Sequence, residues 1–170
     1  QYPDKTTCVF SNLTARTSRM PGVDHVIFFG LQYFIQKYLI EEFNDKFFRI
    51  DKELAVAKYK RRLDTALGPN AVNVDHIGKL HDLGYLPLLI KALPEGSRVG
   101  LQVPMLTIRN THPDFAWLTN FIETLASCVL WQPITSATIA FEYRKKFVEM
   151  AKRTGAAQEF TPWQGHDFSF

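Results

Sequence analysis

Residues 86–130 read LPLLIKALPEGSRVGLQVPMLTIRNTHPDFAWLTNFIETLASCVL, and this stretch decides how the rest of the chain is read. Leu86 to Leu93 is an apolar run, Pro94-Glu95-Gly96 turns the chain, and Val99 to Ile108 runs back. Two short apolar runs around a Pro/Gly turn predict paired strands. Asn110-Thr111-His112-Pro113 then closes the second strand and opens a helix. In that helix Phe115, Leu118, Phe121, Ile122, Leu125 and Val129 share one face at the helical period. A hairpin that feeds directly into a nearly all-apolar helix is a core, so the chain is expected to be built around it.

The totals fit one domain, or one large domain with extensions. A chain of 170 residues hides roughly two-thirds of its unfolded surface and needs no disulfide staples. Hydrophobic residues make up 46% and aromatic residues 14%, a composition that excludes disorder. A net charge of +3, with the basic residues scattered, gives no reason to expect nucleic acid. Cys8 and Cys128 are far apart in sequence and form neither a disulfide framework nor a metal motif, so a reducing, cytoplasmic setting is expected. No apolar run reaches the length of a membrane span, and no signal peptide opens the chain, so no membrane partner is expected. Gln1 as first residue and Phe170 as last suggest that both ends are cut.

Outward from the centre, the N-terminal part holds one strand-like patch, Thr7 to Ser11, followed by a loop with Arg16 and Arg19. These arginines read either as solvated loop residues or as an anion site. Pro21-Gly22 breaks the chain, and a helix is expected from Val23 to about Phe43, with Gly30 inside it explained by a close helix crossing. On this reading His25 is a surface or capping side chain. A second helix is expected from Asp51, its N-cap, to Leu67, with Leu54, Val56, Tyr59, Leu63 and Leu67 inward. A third follows from Val74 to Leu83, capped by Asn73 and stopped by Gly84. His76 and His81 lie five apart, share no helical face, and read as structural or exposed. Pro133 is expected to end the core helix, with another running from Ile134 to about Thr154. Gly165-His166-Asp167-Phe168 suggests the start of a further strand.

Local motifs do not name a reaction. The chain has no glycine-rich phosphate loop, no Cys-x-x-Cys, no His-Glu-x-x-His and no Gly-x-Ser-x-Gly elbow. His166-Asp167 could be an acid–base pair, but neighbouring strand residues point to opposite faces.

Several strings taken in order resemble the N-terminal part of the nicotinamide-using type II phosphoribosyltransferase family. They are Gln1-Tyr2-Pro3, Phe29-Gly30-Leu31-Gln32-Tyr33, Lys37-Tyr38-Leu39 and Leu86-Pro87, then Ile90 to Gly96, Asn110-Thr111 and Pro113. Trp117 to Asn120, Ile122-Glu123-Thr124, Pro133-Ile134-Thr135, Ala137-Thr138 and His166-Asp167-Phe168 complete the set. Each is short, but together they keep the family's order along essentially the whole chain.

The resemblance implies an α+β fold, with helices packed on a small antiparallel hammerhead or barrel-sandwich-like sheet. It implies that residues 1–165 are an N-terminal phosphoribosyltransferase domain and that residues 166–170 open a catalytic α/β barrel absent from this chain. The implied reaction joins nicotinamide to 5-phosphoribosyl-1-pyrophosphate, giving nicotinamide mononucleotide and pyrophosphate. Phe168 matches the phenylalanine that stacks on nicotinamide, Arg16 an arginine on the phosphate or pyrophosphate side, and Asp167 the string that places Phe168. Position 169 is Ser where better-known relatives have Gly. No cofactor is implied for these residues alone, although Mg2+ is expected with phosphoribosyl pyrophosphate in the whole enzyme. A homodimer is implied, and the fragment alone is expected to be inactive. A nicotinate-using enzyme and a barrel-less interaction or regulatory module are the alternatives. A lipoyl-like carrier is a weaker one, because Lys91 lies within a strand and not at the turn tip.

Overall fold

The computed structural model describes residues 2–3 and 5–165. In chain order the elements are β1 (Phe10–Thr14), β2 (His25–Ile27), α1 (Leu31–Phe34), π-wound segments Ile35–Glu42 and Asn44–Phe48, α2 (Lys52–Leu67) and α3 (Asp75–Leu83). Then come β3 (Leu88–Ala92), β4 (Arg98–Gly100), β5 (Pro104–Asn110), a 3-10 turn (Pro113–Phe115), α4 (Ala116–Thr154) and a 3-10 helix (Gln158–Trp163). One sheet has the strand order β1-β5-β3, and a second pairs β2 with β4.

The chain forms two compact units. The first is Gln1–Ser11, Leu31–Ile90 and Ile108–Glu123; the second is Asn12–Gly30, Lys91–Thr107 and Thr124–Phe170.

In the first unit the core gathers Phe34, Ala55, Ile77, Leu80, Ile108, Leu118 and Ile122, all buried. Asp51 caps α2 as expected, its side chain accepting from the Leu54 amide at 2.9 Å. The predicted face of α2 holds in part: Val56, Tyr59 and Leu63 are half-buried. Ala55 is buried, whereas Leu54 and Leu67 are exposed. The expected α3 is also present: the Asn73 side-chain Oδ1 accepts from the Asp75 amide, and Gly84 in the left-handed region ends the helix. His81 is structural, bonded to the Ile50 carbonyl and packed on Phe47 and Phe48. π winding brings residues five apart together, and Tyr33–Tyr38 and Phe43–Phe48 are such ring pairs. Asn110 ends β5 and anchors the N-terminal segment: it accepts from Val9 and donates to the carbonyls of Thr7 and His112.

In the second unit Phe28, Val99, Met105, Leu106, Ala126, Leu130 and Ile134 are buried. Three expectations are corrected here. The helix expected from Val23 is a strand at His25–Ile27, paired antiparallel with β4 in the register His25↔Gly100, Val26↔Val99, Ile27↔Arg98. Gly30, at φ +98°, turns the chain before the helix begins at Leu31. Secondly, the return run is broken. Its first part, β4, leaves to pair with β2, and only β5 joins the sheet of β3. Thirdly, α4 runs unbroken through Pro133 for 39 residues. A proline inside a helix costs about 3 kcal/mol. Here it lies between Leu130 and Ile134, both buried, and its ring rests on Gly30. Because the break is absent, Pro113–Thr154 is long and apolar enough, by length and composition, to cross a membrane, a test that core helices of globular proteins also pass.

Candidate functional site

The second unit holds the loop that carries Arg16. β1 ends at Thr14, and residues 15–24 lead to β2. Both Arg16 and Arg19 are exposed, and neither forms an ion pair among the described residues. Their guanidinium forks therefore face solvent with donors available for a bidentate anion. The loop is closed from outside. The Gln102 amide donates to the Ala15 carbonyl at 2.7 Å, and the neighbouring Leu101 amide donates to the Asp24 carbonyl at 2.9 Å. Within the loop the Ser18 hydroxyl bridges the backbone of Met20, and the Val23 amide bonds the Met20 carbonyl.

At the loop's far end stands His25, only 4% exposed. Its Nδ1 is 3.1 Å from Asp24 Oδ1 and 3.2 Å from Arg98 Nη2. Its Nε2 is 3.2 Å from Glu142 Oε1, within ion-pair reach but not aligned for a hydrogen bond. The ring edge also meets Phe141. The His25 hydrogen bond holds the Asp24 carboxyl below its ordinary range, with the Asp24 backbone amide and Arg98 acting the same way. Lys145, hydrogen-bonded at 2.8 Å, lowers Glu142 more than His25 and Arg98 do. Two further contacts lay this strand along α4. The Ile27 amide donates to Thr138 Oγ1 at 2.9 Å, and Thr138 donates to the Ile134 carbonyl at 2.7 Å. Gly30, the second, abuts Pro133.

Sequence reasoning missed His25 by placing it at a helix start. The available signal was Val26-Ile27-Phe28-Phe29, a β-branched and aromatic run between Pro21-Gly22 and Gly30, which is a strand signature.

The first unit has an open cleft of about 730 Å3, lined by Tyr2, Lys5, Pro113, Asp114, Trp117 and Phe121 among others. Behind Trp117 lies His76, whose ring is 4.8 Å from it and 6.1 Å from Tyr59. Burial pushes the His76 pKa down, against weaker opposite pulls from the Asn73 backbone and Asp75. The ring contacts of His76 are aromatic packing. Among the described residues no three His, Cys, Asp or Glu side chains are placed to hold a metal ion.

Of the predicted site residues, Arg16 sits in the exposed, closed loop described above. Phe168 and Asp167, with His166 beside them, lie outside the described residues, as does the strand expected there.

No family model matches the chain. Over 99% of its length it is 55% identical to the nicotinamide phosphoribosyltransferase of Acinetobacter baylyi, and it spans 34% of that protein. It is 29% identical to the nicotinamide phosphoribosyltransferase of Xanthomonas campestris, again spanning 34%, and 27% identical to that of Mycoplasma pneumoniae, spanning 40%. The chain thus covers a little over a third of the curated relatives it matches. Its fold is similar to part of the crystal structure of human nicotinic acid phosphoribosyltransferase, with a TM-score of 0.59 and 23% identity over 84% of this chain and 25% of that one. The resemblance carried by the ordered strings is borne out along the whole chain, and so is the α+β fold of helices with small sheets.

Proposed function

We propose that these residues are the N-terminal part of a nicotinamide phosphoribosyltransferase. The observation that carries this is 55% identity along 99% of the chain to a protein of that name. In the proposed reaction the pyridine nitrogen of nicotinamide forms a bond to C1 of 5-phosphoribosyl-1-pyrophosphate. The C1–oxygen bond breaks, and its electron pair leaves with pyrophosphate. The positive charge ends on the pyridinium ring of nicotinamide mononucleotide. Such a transfer needs little covalent help from side chains. It needs the two substrates in line and charge placed where it develops.

Within this reading Arg16 grips phosphate or pyrophosphate oxygens, and its exposure in a loop tied at both ends supports that role. Phe168 stacks on the pyridine ring, whose cationic product suits an aromatic face, and Asp167 places Phe168. Residues 1–165 are the N-terminal domain, and residues 166–170 open the barrel that supplies the remaining groups. The enzyme works as a cytoplasmic homodimer, with no nucleic-acid or membrane partner. The described residues do not fit a Mg2+ site of their own, so the ion expected with phosphoribosyl pyrophosphate belongs with that substrate, and no step here is routed through it.

The test is product formation. The full-length protein, given phosphoribosyl pyrophosphate, is expected to make nicotinamide mononucleotide from nicotinamide far faster than it converts nicotinate. Residues 1–170 alone are expected to make none. Preference for nicotinate would replace the substrate assignment, and turnover by residues 1–170 alone would overturn the division of labour between this part and the barrel.

A further inference from the structure

The turn between β4 and β5 touches the arginine loop at both of its ends. Gly100 to Val103 is a four-residue turn closed by the Val103 amide on the Gly100 carbonyl at 3.3 Å. Its third residue, Gln102, has φ +64°, in the left-handed region that type II turns require at that position and that glycine usually fills. The Gln102 side chain makes no hydrogen bond among the described residues, so the side chain does not hold this conformation. The backbone gains from it instead: the adjacent amides of Leu101 and Gln102 reach Asp24 and Ala15, the last and first residues of the loop. Arg98, on the strand leading into the turn, adds a side-chain contact to Asp24 at 3.5 Å. Arg16 follows directly on the residue that Gln102 holds.

We propose that the Gly100–Val103 turn, through the left-handed backbone of Gln102, positions Arg16 for phosphoribosyl pyrophosphate, making Gln102 a positioning residue for that substrate. This deepens the function proposed above and rests on its reading of Arg16. A loop of ten residues tied only by its flanking strands would leave the guanidinium to search for its anion. Two amide anchors remove most of that freedom before the substrate arrives.

The experiment uses the full-length enzyme and separates KM for phosphoribosyl pyrophosphate from kcat and from KM for nicotinamide. A β-branched residue is an outlier at positive φ, so Gln102→Val shifts the turn and withdraws the amide from Ala15. It is expected to raise KM for phosphoribosyl pyrophosphate about tenfold, with kcat and KM for nicotinamide within about twofold. Gln102→Gly, which keeps the amide and accepts the conformation, is expected to match the parent. Arg16→Ala is expected to raise the same KM, and adding Gln102→Val to it should raise it no further. If Arg16→Ala leaves that KM unchanged, the reading of Arg16 falls and this role falls with it. If Arg16→Ala acts but Gln102→Val does not, or if the two effects multiply in the double variant, the positioning role alone is overturned. Should Gln102→Val fail to fold, amide hydrogen exchange of the parent decides. Slow exchange at Gln102, comparable with Val99 in β4, supports the anchor, and exchange at an open-loop rate overturns it.

Discussion

Replacing Gly30 by alanine tests the architecture of the second unit. Gly30 has φ +98°. A methyl group built there would lie 2.7 Å from Pro133 Cγ, 3.1 Å from Pro133 Cβ and 3.6 Å from Leu130 Cδ2. The proline ring is rigid and sits inside α4, and Leu130 is fully buried, so neither neighbour can swing aside. Two effects add. A side chain in left-handed backbone costs about 1–2 kcal/mol. Forcing a methyl into a filled contact costs about 1–3 kcal/mol more. The expected loss is about 2–5 kcal/mol, a large share of the roughly 5–15 kcal/mol that holds a typical domain together. For a chain of this size that corresponds to a fall in Tm of roughly 5–15 °C. Urea and thermal unfolding followed by tryptophan fluorescence would read it. Pro133→Ala in the Gly30→Ala background opens the space but leaves the backbone strain, so a double-mutant cycle should show positive coupling of about 1–3 kcal/mol. A Gly30→Ala protein within about 0.5 kcal/mol of the parent, or a cycle without coupling, would refute the close packing of this strand on α4.

Other outcomes follow from the same contacts. Thr138→Val removes the acceptor for the Ile27 amide and should destabilise the chain by about 1–3 kcal/mol in urea unfolding, while Thr138→Ser should recover most of that. Asp51→Ala removes the α2 cap and should cost about 0.5–2 kcal/mol, with Asp51→Asn close to neutral. His76 has its pKa lowered by burial from an ordinary 6.5, so the unfolded chain takes up the proton first as pH falls. Its contribution should be complete above pH 6.5 and be lost as pH drops below that, in a window that His76→Phe removes from a plot of stability against pH. An unchanged pH profile in His76→Phe would show that this ring is not desolvated as described.

The elements that sequence reading located are those whose boundaries are set by local chemistry. Asp51 and Gly68 bound α2, Asn73 and Gly84 bound α3, and Pro113 follows a side-chain cap at His112; each signal acts within a few residues of itself. The misreadings lie where a distant partner decides. Val23 to Phe29 carries enough apolar residues for a helical stripe, but Arg98 to Gly100 offers its backbone a strand partner about seventy residues away, and Gly30 ends that strand in a conformation no helix contains. Pro133 carries a real local penalty, outweighed by burial of Leu130 and Ile134 on either side and by the fit of its ring on Gly30. On α2 the middle of the predicted face, Val56, Tyr59 and Leu63, is half-buried, whereas Leu54 and Leu67 are exposed and close approach selects Ala55.

The candidate site was less legible, and the reason lies in the kind of chemistry it would serve. A transfer driven by positioning leaves no nucleophile, metal cluster or acid–base dyad in the residue pattern. A lone exposed Arg16 looks the same in sequence whether it binds phosphate or only water. What distinguishes this arginine is its support, and that support is made of main-chain groups. The amides of Leu101 and Gln102 are available in any sequence except one with proline there, so no residue string announces them. His25 shows the converse. Its side chain is distinctive, but its meaning depends on Asp24, Arg98 and Glu142, which only the pairing of β2 with β4 and the packing on α4 bring to it. Ordered family strings point to a family because they record the outcome of such placements without showing them. The fold supplies the reverse: it shows which backbone atoms hold the loop, and on the function proposed above that singles out a substitution expected to weaken phosphoribosyl pyrophosphate binding and spare nicotinamide.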